Sequence, residues 1–187
     1  MSVMSVIHRP LALWAVLLSA VVLVAASGVV PEPATAAACA HAAERPERAS
    51  DMPAARKAVL CLVNRERTSR GLKALKGNAT LEKVERVLAR DMVKRHYFDH
   101  TTPSGKTFSD RLRDARWRGS TAGENIAWGS GGLGSPAKIV DGWMHSSGHR
   151  ANILNKAFTR AGTAIVAAAP DADVDEAATY AMAYDRP

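Results

Sequence analysis

The chain of 187 residues has only two cysteines, no internal repeat, and no G-x-S-x-G segment to present a serine nucleophile on an α/β-hydrolase elbow. Other chemistries are excluded by one missing residue each. Gly129, Gly131 and Gly134 satisfy G-x-G-x-x-G between a strand-like and a helix-like segment, but Arg150 to Thr159 offers no acid to hold a ribose, so the segment reads as a flexible loop. His145 and His149 have the i, i+4 spacing of a zinc protease helix, yet Ser146 stands where the general-base Glu belongs, and Gly148 weakens a helix there. The acidic run Asp171, Asp173, Asp175, Glu176 lacks the glycine and terminal Glu of an EF-hand and reads as a solvated hairpin loop. Asn78-Ala79-Thr80 fits a glycosylation sequon, relevant only in a host with that machinery.

What the chain does have begins with an export signal. His8 and Arg9 precede an uncharged stretch from Leu11 to Val30, and Ala36-Ala37-Ala38 supplies a small-x-small cleavage pattern. Cleavage after Ala38 is the favoured reading. The apolar run is also long enough to serve as an uncleaved N-terminal anchor, and lipidation of Cys39 is a third reading, disfavoured because a large aliphatic residue is missing three positions before it. Arg9 and Glu32 cancel, so the net charge of +7 belongs to the mature part. A basic exported protein favours anionic surfaces such as membranes or wall polymers, or simply has a solvated basic surface. Export and the lack of a recognition motif argue against nucleic acid. Cys39 and Cys61, both on the oxidising side, point to one disulfide tying the new N-terminus to the first helix, with two free thiols as the alternative.

Residues 39–53 read as an arm or linker, and residues 54–187 as one domain. Helices are expected over Pro53 to Ser69, from an N-cap at Thr80 through Met92, over Phe108 to Ala115, and from Ser135-Pro136 to Met144. In the second of these, Leu81, Val84, Leu88 and Met92 form the apolar stripe, with Glu82, Lys83, Glu85, Arg86 and Arg90 elsewhere on the wheel. Strands are expected at Glu124 to Trp128, Ala161 to Ala169 and Ala178 to Tyr184. Helices before and among strands, without regular alternation, indicate an α+β fold.

Three spread segments remain: Tyr97-Phe98-Asp99-His100, Gly123-Glu124-Asn125-Ile126-Ala127, and Trp143 through Leu154, reading WMHSSGHRANIL. With Leu62-Val63-Asn64 and Arg67 in the opening helix, they resemble the CAP superfamily, the SCP domain of cysteine-rich secretory proteins, venom antigens and plant pathogenesis-related proteins, in its bacterial form. The resemblance runs from about Ala54 to Tyr184. It implies a three-layer α-β-α sandwich with a central antiparallel sheet and a cleft of two histidines and two acids. His100, Glu124 and His149 match three of these; the fourth position is Ser146, and His145 is an extra imidazole outside the pattern.

Two imidazoles and one carboxylate suit three ligands of Zn²⁺ or another divalent cation, with weak binding expected for want of a fourth. His145, Ser146, Asn125 and Arg150 adjoin the cleft; Asn125 and Asn152 are expected to satisfy backbone groups, and Arg150 to pair with an acid or lie exposed. Three functions stay open at this point. They are a non-catalytic envelope or extracellular binding module for a metal, lipid or other small ligand, a metal-assisted hydrolase, and a scaffold with a purely structural His/Glu network. The expected partner is a cell-envelope component, lipid or protein, and the expected state a secreted monomer, touching membrane only through an uncleaved leader.

Overall fold

A computed structural model describes residues 39–187; the leader expected over residues 1–38, with its cleavage, anchor and lipidation readings, lies outside the described residues. Helix α1 (Met52–Thr68) begins on Pro53 in its first turn and buries Met52, Ala55, Val59, Leu62 and Val63 at three- and four-residue spacing. Strand β1 (Lys76–Gly77) and helix α2 (Ala79–Arg95) follow. The cap of α2 is Asn78 rather than Thr80: its side-chain oxygen accepts from the Leu81 N–H at 3.0 Å, which starts the helix two residues earlier. Helix α3 (Phe108–Asp114) opens on a reciprocal cap between Thr107 and Asp110.

After strand β2 (Thr121–Ser130) come helices α4 (Pro136–His145) and α5 (Ser147–Ile153). The sequence did not suggest α5, because Gly148 speaks against a helix; the extended backbone of Ser146 (φ −101°, ψ 123°) separates it from α4 and starts a new helix across that glycine. His145 and His149 therefore sit on different helices. Strands β3 (Arg160–Val166) and β4 (Ala177–Arg186) form a hairpin around the acidic loop.

The sheet order among the described residues is β1-β3-β4-β2. β4 runs antiparallel to both neighbours, but β1 lies parallel to β3, so the expected antiparallel sheet is mixed at one edge. The reason is local: Lys76 and Asn78 donate to the carbonyls of Thr159 and Ala161 at 3.0 and 2.8 Å as the chain passes from α1 to α2, with no hairpin to reverse it. The pleat sorts β4 into two layers. Tyr180, Met182 and Tyr184 pack with Val59, Val63, Ile139 and Trp143 of α1 and α4. Ala181 and Ala183 face Leu81, Val84, Leu88 and Met92 of α2 on the other side. Small residues on that side let α2 approach closely; at Gly162 a Cβ would stand 2.2 Å from the Glu82 nitrogen.

A buried cation fixes the α1 layer. Arg67 is 1% exposed and donates to the backbone carbonyls of Lys73 (2.9 Å), Ile153 (2.6 Å), Asn155 (3.0 Å) and Phe158 (3.0 Å). These acceptors replace the water the guanidinium loses on burial. They also tie the end of α1 to the chain leaving α5.

The arm over residues 39–51 is folded against the domain: Cys39 is buried and bonded to Cys61, and the Ala137 N–H donates to the Ala42 carbonyl at 2.8 Å. The bridge closes a separation of 22 residues, worth about 3 kcal/mol on the chain-entropy model. Cys61→Ser is expected to lower unfolding free energy by about that amount in a denaturant titration, and non-reducing mass spectrometry of the exported protein should find no free thiol.

Candidate functional site

β2 carries Gly123, Glu124 and Asn125 between the two helical layers. Gly123 has to be small, because a Cβ there would meet the Asn152 side-chain oxygen at 2.7 Å. Asn152 Nδ2 donates to the Glu124 carbonyl (3.1 Å) and to Asn125 Oδ1 (2.9 Å). Asn125 Nδ2 donates in turn to the His149 carbonyl (3.1 Å) and Tyr184 Oη (3.2 Å). These amides fasten α5, and with it His149, to the strand bearing Glu124. Trp143 adds an indole N–H bond to the Ile126 carbonyl at 3.3 Å.

His100 comes from the loop between α2 and α3. Its Nδ1 lies 2.6 Å from Glu124 Oε1, with the imidazole side chain 49% exposed and the carboxylate 3%. The other oxygen, Oε2, accepts from Arg111 of α3 at 2.5 Å, in an ion pair buried on both sides. Arg111 also donates to the His100 carbonyl at 2.8 Å, so one guanidinium holds both the carboxylate and the loop that carries the imidazole. A charge-assisted pair of this kind is strong only while both members are present.

The hydrogen bond to Glu124 raises the His100 pKa above 6.5 against the opposing effect of burial. His149 moves the other way, lowered first by burial and then by the charge of His100. The two imidazoles thus differ in proton affinity within one cleft. Acidification charges His100 first.

The remaining candidates divide. His145 is 78% exposed in its side chain and bonds the Asp141 carbonyl of its own helix at 2.8 Å, and Arg150 is exposed. Ser146 serves as the hinge between α4 and α5. Asn125 and Asn152 do satisfy backbone groups.

Two participants escaped the sequence reading. Arg111 was hidden among many arginines. Glu85, expected on the solvated face of α2, is completely buried, and neither of its carboxyl oxygens has a hydrogen-bond donor from the protein. Burial, followed by the neighbouring charge of Glu124, pushes its pKa well above the usual carboxylate range. Its position directly after Val84 on the apolar stripe was the available signal.

The donor set does not fit a three-ligand metal centre. Both oxygens of Glu124 are engaged, by His100 and Arg111, and among the described residues no group of three or more His, Cys, Asp or Glu side chains is placed to hold a metal ion.

Fold and cleft together define an α-β-α sandwich with a His/Glu/Arg network. The model of the cysteine-rich secretory protein family, CAP, matches residues 60–181, and the chain belongs to this family. It is 41% identical over 117 residues to the uncharacterized protein YkwD of Bacillus subtilis, covering 63% of this chain and 44% of that protein. It is 33% identical over 109 residues to the uncharacterized membrane protein YlbC of the same organism, covering 58% and 31%. The chain thus spans less than half the length of these relatives. Among solved structures, an extracellular SCP-domain protein of Bacillus anthracis superposes with TM-score 0.59 and 27% identity, covering 74% of this chain and 41% of that one. An outer surface protein of Borrelia burgdorferi, at 20% identity, shares the fold with TM-score 0.60, covering 70% and 92%. Among the described residues no helix is long and apolar enough to cross a membrane.

Glu124→Gln should bring the His100 pKa down toward 6.5, read from its ring protons by NMR; no change would mean that another group sets it. The linkage signs are opposite for the two imidazoles. The raised His100 contributes stability below pH 6.5 that is lost as pH rises through its folded value, and the lowered His149 contributes stability above pH 6.5 that is lost on acidification.

Glu85 has a raised folded pKa, so it costs stability increasingly above pH 4.5, its ordinary value. Glu85→Gln is therefore expected to raise the melting temperature at about pH 8 and leave it nearly unchanged at about pH 4.

Proposed function

We propose that this protein is an exported, non-catalytic binding module of the cell envelope, whose cleft holds a lipid, wall component or protein partner through His100 and His149 without turning it over. The observation that carries this reading is the engagement of both Glu124 oxygens. A general base has to reach a substrate proton, and this carboxylate is 3% exposed and held on one side by Arg111 and on the other by His100. Ser146 stands where the resemblance would put a second acid, and it forms a helix junction. The two imidazoles, in contrast, remain partly accessible with proton affinities shifted in opposite directions, a pair able to donate to and accept from one polar head group. The resemblance to an extracellular SCP-domain protein supports the location.

Two rivals make different predictions. A metal-assisted hydrolase would turn over a peptide, ester or glycan substrate in added zinc; we expect no turnover that disappears in His100→Ala, and finding it would overturn the binding reading. A scaffold with a structural network would lose stability in cleft variants and bind nothing. For a binding module, wild-type protein is retained on purified envelope fractions, and His149→Ala loses retention at an unchanged melting temperature.

A further inference from the structure

We propose that the groove between α1 and α2, along the open side of β3, takes an extended acidic segment of a partner protein as an added strand. β1 pairs with β3 only at Arg160 and Ala161, and beyond them β3 has a strand on its β4 side alone among the described residues. The Ala161 carbonyl points outward to the Asn78 N–H at 2.8 Å. With a strand period of two, Thr163 and Ile165 turn their peptide groups to that same side.

A groove of about 210 Å³ opens at this place and touches both Ala164 and Ile165. Ala164 belongs to the α2 layer and Ile165 to the α1 layer. A groove reaching both lies at the sheet edge, where the two layers part. Met52 completes the apolar floor.

The rim sets the charge of the occupant. Arg56 of α1 and Arg86 and Arg90 of α2 line the groove, with Glu82 as its one acid. Glu82 is shared, 2.7 Å from Arg86 and 3.5 Å from Arg56, and Arg90 makes no ion pair with a described residue. Three guanidinium groups against one carboxylate leave a positive excess on both walls. Guanidinium forks recognise carboxylates bidentately. Side chains of an added strand alternate toward the two walls, so acidic residues meet arginine on either side while the backbone pairs with the edge. A phosphate polymer would use the arginines and leave the peptide groups of Thr163 and Ile165 without a role, which is why a peptide is the favoured occupant.

The test uses the exported protein and an array of labelled octapeptides that alternate Glu or Asp with Val, Ile or Thr, read by fluorescence anisotropy. Saturable binding is expected. Methylating alternate backbone nitrogens in one frame should weaken it about tenfold, while the other frame is tolerated, because only one set of N–H groups faces the edge. The Arg86→Ala/Arg90→Ala variant, altered at two exposed positions, should keep its melting temperature and lose binding, and the amides of Thr163 and Ile165 should exchange more slowly with peptide bound. Binding indifferent to methylation in both frames, or reproduced by tripolyphosphate on the same arginines, would make the groove an oxyanion site and overturn strand addition. Absence of binding across the array overturns it as well. So does self-association of the arginine variant without peptide binding by wild type, since the guanidinium groups would then be guarding the edge. His149→Ala should leave peptide binding intact, so failure here and failure of the cleft reading are separately visible.

Discussion

The cleft rests on one buried ion pair. Arg111 and Glu124 meet where water is excluded, and each needs the other to be tolerated there. From that pair the rest of the site is placed: the loop of His100 hangs on the guanidinium through its carbonyl, the imidazole on the carboxylate, and α5 on the backbone of the same strand through two asparagines. Removing either charge would strand the other, a loss of about 3–5 kcal/mol for a pair of this kind. The arrangement therefore commits Glu124, the acid the resemblance places in the cleft, to structure. This is the physical reason for reading the cleft as a place of recognition.

Much of the architecture could be read from residue pattern. The apolar stripes of α1 and α2, Pro136 at the start of α4 and the β-branched run in β3 each carry a local signal stronger than its rivals. The three strands lie within three residues of their expected limits at every end. β1 was missed because two residues hold no period, and its pairing depends on a partner more than eighty positions away. α5 was missed because a glycine inside a short helix outweighs every local cue, whereas Asn125 and Asn152 supply the compensating tertiary bonds.

At the site, the resemblance named His100, Glu124 and His149, and the fold draws the first two into direct contact. The role of Glu124 was not legible, because it depends on Arg111, one arginine among many with nothing in its neighbourhood to distinguish it. Glu85 shows the converse difficulty. Its glutamate identity argues for solvent, and its burial comes from the tertiary packing of α2, beside Glu124 and Arg111. Charged residues on a helix wheel can be sorted by position, but a buried one at the stripe's margin is recognised only once the opposing layer is known.

The Arg67 clamp has a consequence for how the protein responds to its surroundings. Burial lowers the pKa of this arginine, yet a guanidinium starts so high that it stays charged wherever imidazoles titrate. The four carbonyls it gathers include that of Ile153, the last residue of the helix bearing His149, and that of Asn155 just beyond it. An acidic environment can therefore rewrite the charge displayed at the mouth of the cleft while the frame behind it keeps its shape. Recognition by this molecule would be tuned like a key whose teeth change electrically on an unbending shaft.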